Sequence, residues 1–565
     1  MKQLLRYSCF VAMVCLVTGV AQSRTRSIDV NAIKGDLTLA LRSIGEETKS
    51  RNNDTIELVF KKGSYTINGT VQFWCPVVIR GEGSNQTTII LENGKDKDGV
   101  KAFSDDAFFS IRGSLTQPVT ASISDITFKL KDHNGIWWND AEKYAVKIYH
   151  ANHVDIHHVE SYMSNAQITN FDLRVCSNVS VTDCILSNYN NCQIGGNLWI
   201  RGEMHDIVVK RNKFYKYGKD EALGFFDRVV DCTQGYVRGK ANRTNIFIED
   251  NEFYYGYNGK DKDPEAYNHT ILTLMTDHKK SKDACTTRNF HLNGNTFHMT
   301  DETARCIYIC FDPADVHEGI HIENNQIINE AFTSNKKYYR QDIEVNDLSS
   351  CGDTIHITGN TVRNKKLVIN PSGSQGYSFL LVQSGLVNMT GNRIINEVLK
   401  DPSTGKSTGV QVIWAGAPGG HVTMCDNVCK GVLCIAYVGA GSGTQLFSLD
   451  AINNYFEGDT RVYSHKVNEL HLNFTNNTFV SNNMNFFLQE FAPKGSVVFN
   501  NNNVTVSQGS GQFMTHWSKN STHDYRFERL EVKNNVFHGV KNERDMFQNI
   551  TNVGKRSVRN NTITR

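Results

Sequence analysis

Proline is scarce in this chain, 8 residues in 565 against 43 glycines. That argues against proline-rich linkers, and no shift of composition marks an internal boundary. An excess of one charge is missing too. Lys and Arg number 60 and Asp and Glu 58, for a formal net charge of +2. This gives no electrostatic reason to expect a nucleic acid or an anionic membrane surface as partner. Beyond the first two dozen residues no run is apolar enough for a bilayer, since a spanning helix needs about 20 apolar residues. A convincing zinc site is also lacking, since none of the cysteine spacings, paired with His, makes one.

What is there begins with "MKQLLRYSCFVAMVCLVTGVAQS". Lys2 and Arg6, an apolar run, and the small residues Gly19 and Ala21 form the pattern of a secretory signal peptide, residues 1–21. The rest, 22–565, reads as one exported domain without a transmembrane segment. Its destination is the periplasm, the medium or the cell surface. Fourteen cysteines occur, and removal of Cys9 and Cys15 with the signal leaves twelve. An even number in an exported protein permits disulfides. However, Cys176, Cys184, Cys306 and Cys310 sit within apolar runs, which favours buried, unpaired thiols.

A repeat runs through most of the chain. "IVVKRNKF" from Ile207, "IFIEDNEF" from Ile246, "FHLNGNTF" from Phe290, "IHIENNQI" from Ile320 and "IHITGNTV" from Ile355 share one pattern. It returns at Val387, Val422 and Leu530, with weaker copies at Val154, Val179 and Val558. Each copy is apolar, variable, apolar, two polar residues, Asn, variable, apolar. The inner period of two means strands, and the 25 to 44 residues between successive copies from Val154 to Val422 mean a solenoid. Asn at the strand end suits a tight turn, and stacked Asn side chains would hydrogen-bond from coil to coil. The expected fold is all-β, a single-domain parallel β-helix with long loops on its middle coils. At the N-terminus, "GDLTLALRSIGEETKS" (35–50) places Leu37, Leu39, Leu41 and Ile44 in an amphipathic helix behind an Asp. It would close the open end of the solenoid, in a cap at about 30–55.

The segment "IELVFKKGSYTINGTVQFWCPVVIRGEGSNQTTIIL" (56–91) resembles the opening of the pectate-lyase-like right-handed β-helix superfamily. The shared features are the capping helix, F-x-x-G-x-Y-x-I from Phe60 to Ile67, V-x-I-R-G-x-G from Val78, and T-x-I from Thr88. The resemblance implies a right-handed coil and a substrate groove along one sheet near the middle coils. It specifies fold more than reaction, because one scaffold hosts many chemistries. The Gly-His-Gly turn and Arg-x-Lys pair of polygalacturonases are not present, nor are the Trp-x-Asp-His and Arg-x-Pro-x-x-Arg features of pectate lyases.

Placed by that resemblance, the groove strands are "YAVKIYH" (144–150), "AQITNFDLR" (166–174), "CQIGGNLWIR" (192–201), "DEALGFFDR" (220–228), "HTILTLMTDHK" (269–279) and "ARCIYICFD" (304–312). Charged and aromatic residues crowd these six strands. The later equivalents, "GVQVIWAG" (409–416) and "GVLCIAYVG" (431–439), are nearly free of charge. The asymmetry locates a cleft at residues 145–315. Insertions at 226–244, 254–270 and 335–347 would wall it.

For cleavage of an acidic polysaccharide, candidate catalytic residues are Asp220, Glu221, Arg174, Lys147 and His278, which combine acids, bases and cations. Tyr149, Trp199, Arg201, Arg228 and Lys279 would bind the sugar and its carboxylates. Asp172, Glu221 and Asn197 offer hard oxygen ligands for Ca²⁺. Three readings follow: a polysaccharide lyase acting on pectin, alginate or a glycosaminoglycan, a polygalacturonase-type hydrolase using an Asp/Glu pair, and a non-catalytic glycan-binding solenoid. Basic groups beside the acids favour the lyase. A capped solenoid is expected to be a monomer.

Overall fold

The computed structural model describes residues 24–50, 54–92, 107–131, 143–164, 168–189, 195–217, 221–227, 229–231, 235–237, 241–256, 270–276, 284–299, 305–330, 340–349, 351–365, 377–400, 409–439, 444–465, 467–482, 485–489, 494–507, 512–516, 527–540, 542–547, 550 and 553–564. The signal-peptide segment lies outside them.

Within these residues, 45 strands hydrogen-bond in parallel into one continuous system. The chain winds through three strand positions per coil, giving three long sheets, here A, B and C. Sheet A holds the repeat strands, such as Asn242–Glu249, Thr286–Asn293 and Val316–Glu323, paired in register (Ile246 with Phe290 with Ile320). Sheet B follows the Asn turn, with Lys213–Tyr217, Glu252–Tyr255 and Thr296–Met299. Sheet C holds Leu223–Phe226, Thr270–Met275 and Arg305–Phe311 together with the first halves of longer strands. This is a parallel β-helix.

The turn from A to B carries the expected side-chain ladder. Asn212, Asn251, Asn295, Asn325, Asn360, Asn392, Asn427, Asn454, Asn477, Asn502 and Asn535 each pass an amide hydrogen to the carbonyl oxygen of the next Asn along the row, which ends at Asn561, at 2.9–3.1 Å. The left-handed residue is the one before the ladder Asn: Gly294, Asn324, Gly359 and Asn453 have φ of 70°, 54°, 65° and 58°. Gly, Asn and Asp recur there because they enter that region at least cost.

The coil interior is a file of apolar side chains. Phe214, Phe253 and Phe297 stack face to face at 4.8 Å. Cys176, Cys184, Cys306 and Cys429 are buried, and no disulfide joins the described cysteines to one another. Helix α1, Leu37–Thr48, closes the N-terminal end, its Leu39 amide capped by the Asp36 carboxylate at 3.1 Å. Leu41 is buried, whereas Leu39, expected on the apolar face, is exposed. The insertion at 226–244 contains a small antiparallel hairpin, Val229–Asp231 with Gly235–Val237. That at 335–347 proves largely a sheet C strand, Arg340–Asp347.

Imidazoles line the outside of sheet A. His291, His321 and His356 stack at 4.7 and 5.0 Å, with Phe247 over His291 at 5.3 Å. Burial, then the neighbouring His321, holds His291 below its ordinary 6.5, against Glu323 and Glu249, which act the other way. Asn289 bonds its Nε2. A base whose folded pKa is lowered takes up its proton more readily in the unfolded chain. Its contribution is therefore complete above pH 6.5 and lost as pH falls below it. We expect the denaturation midpoint to fall between pH 7 and pH 5, and to fall less in His291→Phe. An equal fall in both proteins would remove His291 as its source.

Candidate functional site

On sheet C, side chains alternate between core and surface. Val146, Phe171, Leu198, Leu223, Leu272 and Ile307 form one inward row, and Ile148, Leu173, Ile200, Phe225, Leu274 and Ile309 the next. The row between them faces outward: Ser110, Lys147, Asp172, Trp199, Gly224, Thr273, Tyr308 and Glu344. A second outward row runs Arg112, Tyr149, Arg174, Arg201 and Phe226. Chemistry-bearing residues from distant points of the sequence thus stack about 4.8 Å apart, the spacing of neighbouring strands.

Four charges meet where these rows cross the strands 143–149, 168–174 and 198–201. Arg174 Nε donates to Asp172 Oδ2 at 2.5 Å. Arg201 Nε stands 3.1 Å from Asp172 Oδ1, out of line for a hydrogen bond, and that oxygen accepts none. Arg174 also donates to the hydroxyls of Tyr149 at 3.3 Å and Tyr144 at 3.0 Å. Lys147 Nζ lies 4.8 Å from the ring centre of Tyr144 and 5.0 Å from that of Tyr149. Arg201 lies over Trp199 at 4.3 Å. Although they point away from the core, Lys147 and Asp172 are 0 % exposed, Arg174 1 % and Arg201 9 %.

Among the described residues this cluster holds three cations and one carboxylate. Burial alone would lower the Arg174 pKa, but Asp172 and the hydroxyls of Tyr144 and Tyr149 outweigh it and the net shift is upward. The guanidinium is locked in its charged form. The Trp199 indole N–H is buried with no hydrogen-bond partner. Cations held between aromatic rings in a water-poor site, one of them beside an open carboxylate oxygen, suit an anionic sugar.

Of the residues singled out from sequence, Lys147, Tyr149, Asp172, Arg174, Trp199 and Arg201 come together here. Asp220, Arg228, His278 and Lys279 lie outside the described residues. Glu221 does not join the cluster, because its carboxylate accepts a hydrogen bond from Thr273 Oγ1 at 3.3 Å. Thr273 is three strands along the outward row from Asp172, roughly 14 Å away at the spacing of parallel strands. Asn197 is turned into the coil wall, where its amide oxygen accepts from Asn170 at 2.9 Å and its nitrogen donates to the Tyr215 carbonyl at 3.0 Å. The proposed Ca²⁺ ligands Asp172, Glu221 and Asn197 therefore do not converge. Among the described residues no group of three or more His, Cys, Asp or Glu side chains does so.

Sequence reasoning missed Tyr144, Arg112 and Thr273. Tyr144 opens the strand "YAVKIYH" and bonds Arg174, but an aromatic residue at a strand entry carries no signal of that role. A buried polar corner between sheets C and A was also missed. There Arg243 donates to the Met275 carbonyl at 2.9 Å and Thr287 at 3.0 Å. Cys285 donates to Asp227 at 3.7 Å. Burial pushes the Cys285 thiol up to about 12, so it is no nucleophile at neutral pH.

The sequence matches no protein-family model and no curated protein. Solved structures do align with it. DFA-IIIase from Arthrobacter chlorophenolicus A6 is 10% identical, with a TM-score of 0.41 over 71% of this chain and 94% of that one. A PL6 alginate lyase complexed with a trisaccharide is 11% identical, with a TM-score of 0.38 over 82% and 86%. The family 28 exopolygalacturonase of Yersinia enterocolitica is 10% identical, with a TM-score of 0.36 over 82% and 78%. At these values the comparisons carry no assignment of activity. The protein is identified by its own strand register as a parallel β-helix with a buried cluster of charged and aromatic residues on the outer face of one sheet.

Proposed function

We propose that this chain is an exported carbohydrate-active enzyme that cleaves a uronic-acid-containing polymer, such as pectin, alginate or a glycosaminoglycan, by β-elimination. The observation that carries the reading is the Lys147–Asp172–Arg174–Arg201 cluster, three cations and a carboxylate buried between aromatic rings on the outer face of sheet C.

β-Elimination needs the sugar carboxylate neutralised, a proton taken from C5 and a proton returned to the leaving oxygen. Arg201 and Arg174 would pair with the carboxylate. Pairing would stabilise the charge that spreads onto the carboxylate as the C5 proton leaves. Lys147 and Tyr149 stand on adjacent rows, the amine 5.0 Å from the ring centre. Lys147 is a cation and has no electron pair to accept a proton, so Tyr149 would take the one from C5. The electron pair left behind forms the C4–C5 double bond, the C4–O bond breaks, and the other residue would protonate the departing oxygen. Hydrolysis instead asks for two carboxyl groups, about 5–5.5 Å apart for retention or 6.5–9.5 Å for inversion. Asp172 is the one carboxylate in the described cluster and is already bonded to Arg174. No calcium step enters, since the residues expected to hold that ion are not assembled.

The test is ultraviolet absorbance of the new double bond, followed over a panel of pectic, alginate and glycosaminoglycan polymers with and without Ca²⁺. We expect a rise on one polymer class and a loss of about 10²–10⁴-fold in Lys147→Ala if that side chain transfers a proton. Release of reducing ends without that absorbance would make the enzyme a hydrolase.

A further inference from the structure

Cations on the outer face of sheet A meet carboxylates on neighbouring coils. Lys210 stands directly opposite Glu249, 2.8 Å away, and Arg288 opposite Glu318 at 3.5 Å. Arg80 pairs with Glu57 at 2.7 Å, and Arg211 with Asp183 at 2.7 Å. Opposite charges on neighbouring strands support a sheet, whereas like charges directly opposite destabilise it.

The strands Arg529–Lys533 and Lys555–Arg559 break this rule. Leu530 and Val532 pack in the core, so Arg529, Glu531 and Lys533 face outward, with Lys555, Ser557 and Arg559 beside them in register. Arg529 is thereby set against Lys555, and Lys533 against Arg559. One carboxylate is bonded within the group. Glu531 Oε2 takes both Arg529 at 2.7 Å and Lys533 at 2.9 Å, and Oε1 accepts from Asn500 at 2.7 Å. These bonds, that of Arg529 foremost, hold the Glu531 carboxyl down at about 2. Glu528 opens the same strand, but among the described residues neither it nor Lys555 nor Arg559 joins an ion pair. Lys555 and Arg559 are exposed, and Arg529 keeps 53 % of its side-chain surface in water.

Arg529 and Lys533 are four residues apart, as are Lys555 and Arg559, which is roughly 13 Å along a strand, while the two strands lie roughly 4.8 Å apart. The four cations therefore form two close pairs, one at each end of a flat patch. A single small anion would engage one pair and leave the other in repulsion. Two anionic groups on one extended molecule would relieve both. Along sheet A the strand 555–559 is the eleventh after the strand 198–210, roughly 53 Å away. The patch is thus no part of the charged cluster on sheet C.

We infer that this patch is a second, non-catalytic site for an acidic polysaccharide, gripping carboxylate or sulfate groups of the chain far from the bond being cleaved. The choice of a glycan as the polyanion rests on the lyase reading and deepens it. Repulsion stored between the two strands is released when the polymer binds, and the enzyme stays tethered to its substrate between cuts.

The test compares the wild-type protein with Lys555→Glu combined with Arg559→Glu, which sets a carboxylate opposite Arg529 and another opposite Lys533. A structural role for the two cations predicts a lower denaturation midpoint, whereas relief of repulsion raises it. Binding to immobilised polygalacturonate, alginate and chondroitin sulfate is measured at low salt, where charge contacts are least screened. We expect the variant to melt higher and to bind about tenfold more weakly, with its ultraviolet activity on short oligosaccharides unchanged. A lower midpoint, or equal binding, overturns the site and leaves the lyase untouched. Binding of the wild-type protein to phosphatidylglycerol vesicles and to none of the polymers would give the patch to a membrane surface and overturn the glycan site. Should no acidic polymer be cleaved, the lyase reading fails separately. The binding comparison then still decides: weaker retention of the variant supports the site, and equal or absent retention overturns it.

Discussion

Replacing Asp172 by alanine should lower the unfolding free energy by about 3–5 kcal/mol, the usual cost of removing one partner from a buried ion pair. Asp172 is 0 % exposed and lies within 2.5 Å of Arg174 and 3.1 Å of Arg201. Without it, Lys147, Arg174 and Arg201 confront one another with no carboxylate among the described groups of the cluster. Water cannot screen them well, because Arg174 is only 1 % exposed. The midpoint of chemical denaturation reads the loss. A control separates charge from packing: Asp172→Ala combined with Arg174→Met removes the strongest repulsion and should recover part of the stability. A loss below about 1 kcal/mol would place the pair with ordinary surface salt bridges. The cluster would then be wetter than its burial implies.

A comparable loss is expected deep in the Asn ladder. The Asn360 carbonyl oxygen accepts from the Asn325 backbone N–H at 2.9 Å and from the Asn325 amide at 3.0 Å. Its nitrogen donates to the Ile322 carbonyl at 2.9 Å and to Asn392 at 3.0 Å. Alanine at 360 strands two buried donors at roughly 1–3 kcal/mol each, for a total of roughly 3–5 kcal/mol once the lost volume is added. The same substitution at Asn561, the last rung, should cost about 1 kcal/mol or less. That rung is only half-buried, so water can replace the lost partner of Asn535. Denaturation midpoints of the two variants test this directly. Equal losses would mean that burial does not set the strength of the ladder.

Much of this was legible in the sequence because it repeats. A period of two inside each copy fixes which side chains face the core, and a recurrent Asn fixes where each coil turns. That pattern needs no knowledge of distant contacts, since each coil meets only its neighbours. The groove strands were legible for the same reason: Lys147, Asp172 and Arg174 each sit between two apolar residues, so alternation alone sends them outward.

Alternation assigns a face and not a partner. Glu221 opens a groove strand just as Asp172 lies within one, yet its carboxylate belongs to Thr273, three strands from Asp172. Asn197 looks like a groove ligand next to Leu198 and Trp199, but the turn before that strand rotates its amide into the wall, against Asn170 and Tyr215. Tyr144 gave no sign of its bond to Arg174.

The sequence by itself determined the solenoid, its sheets, its Asn turns and the surface on which charge gathers, because local periodicity and nearest-neighbour stacking are enough for all of these. Only the tertiary structure decided which charges meet, since the number of residues in each coil sets which strands become neighbours, and electrostatic partnership is a matter of ångströms rather than of sequence position.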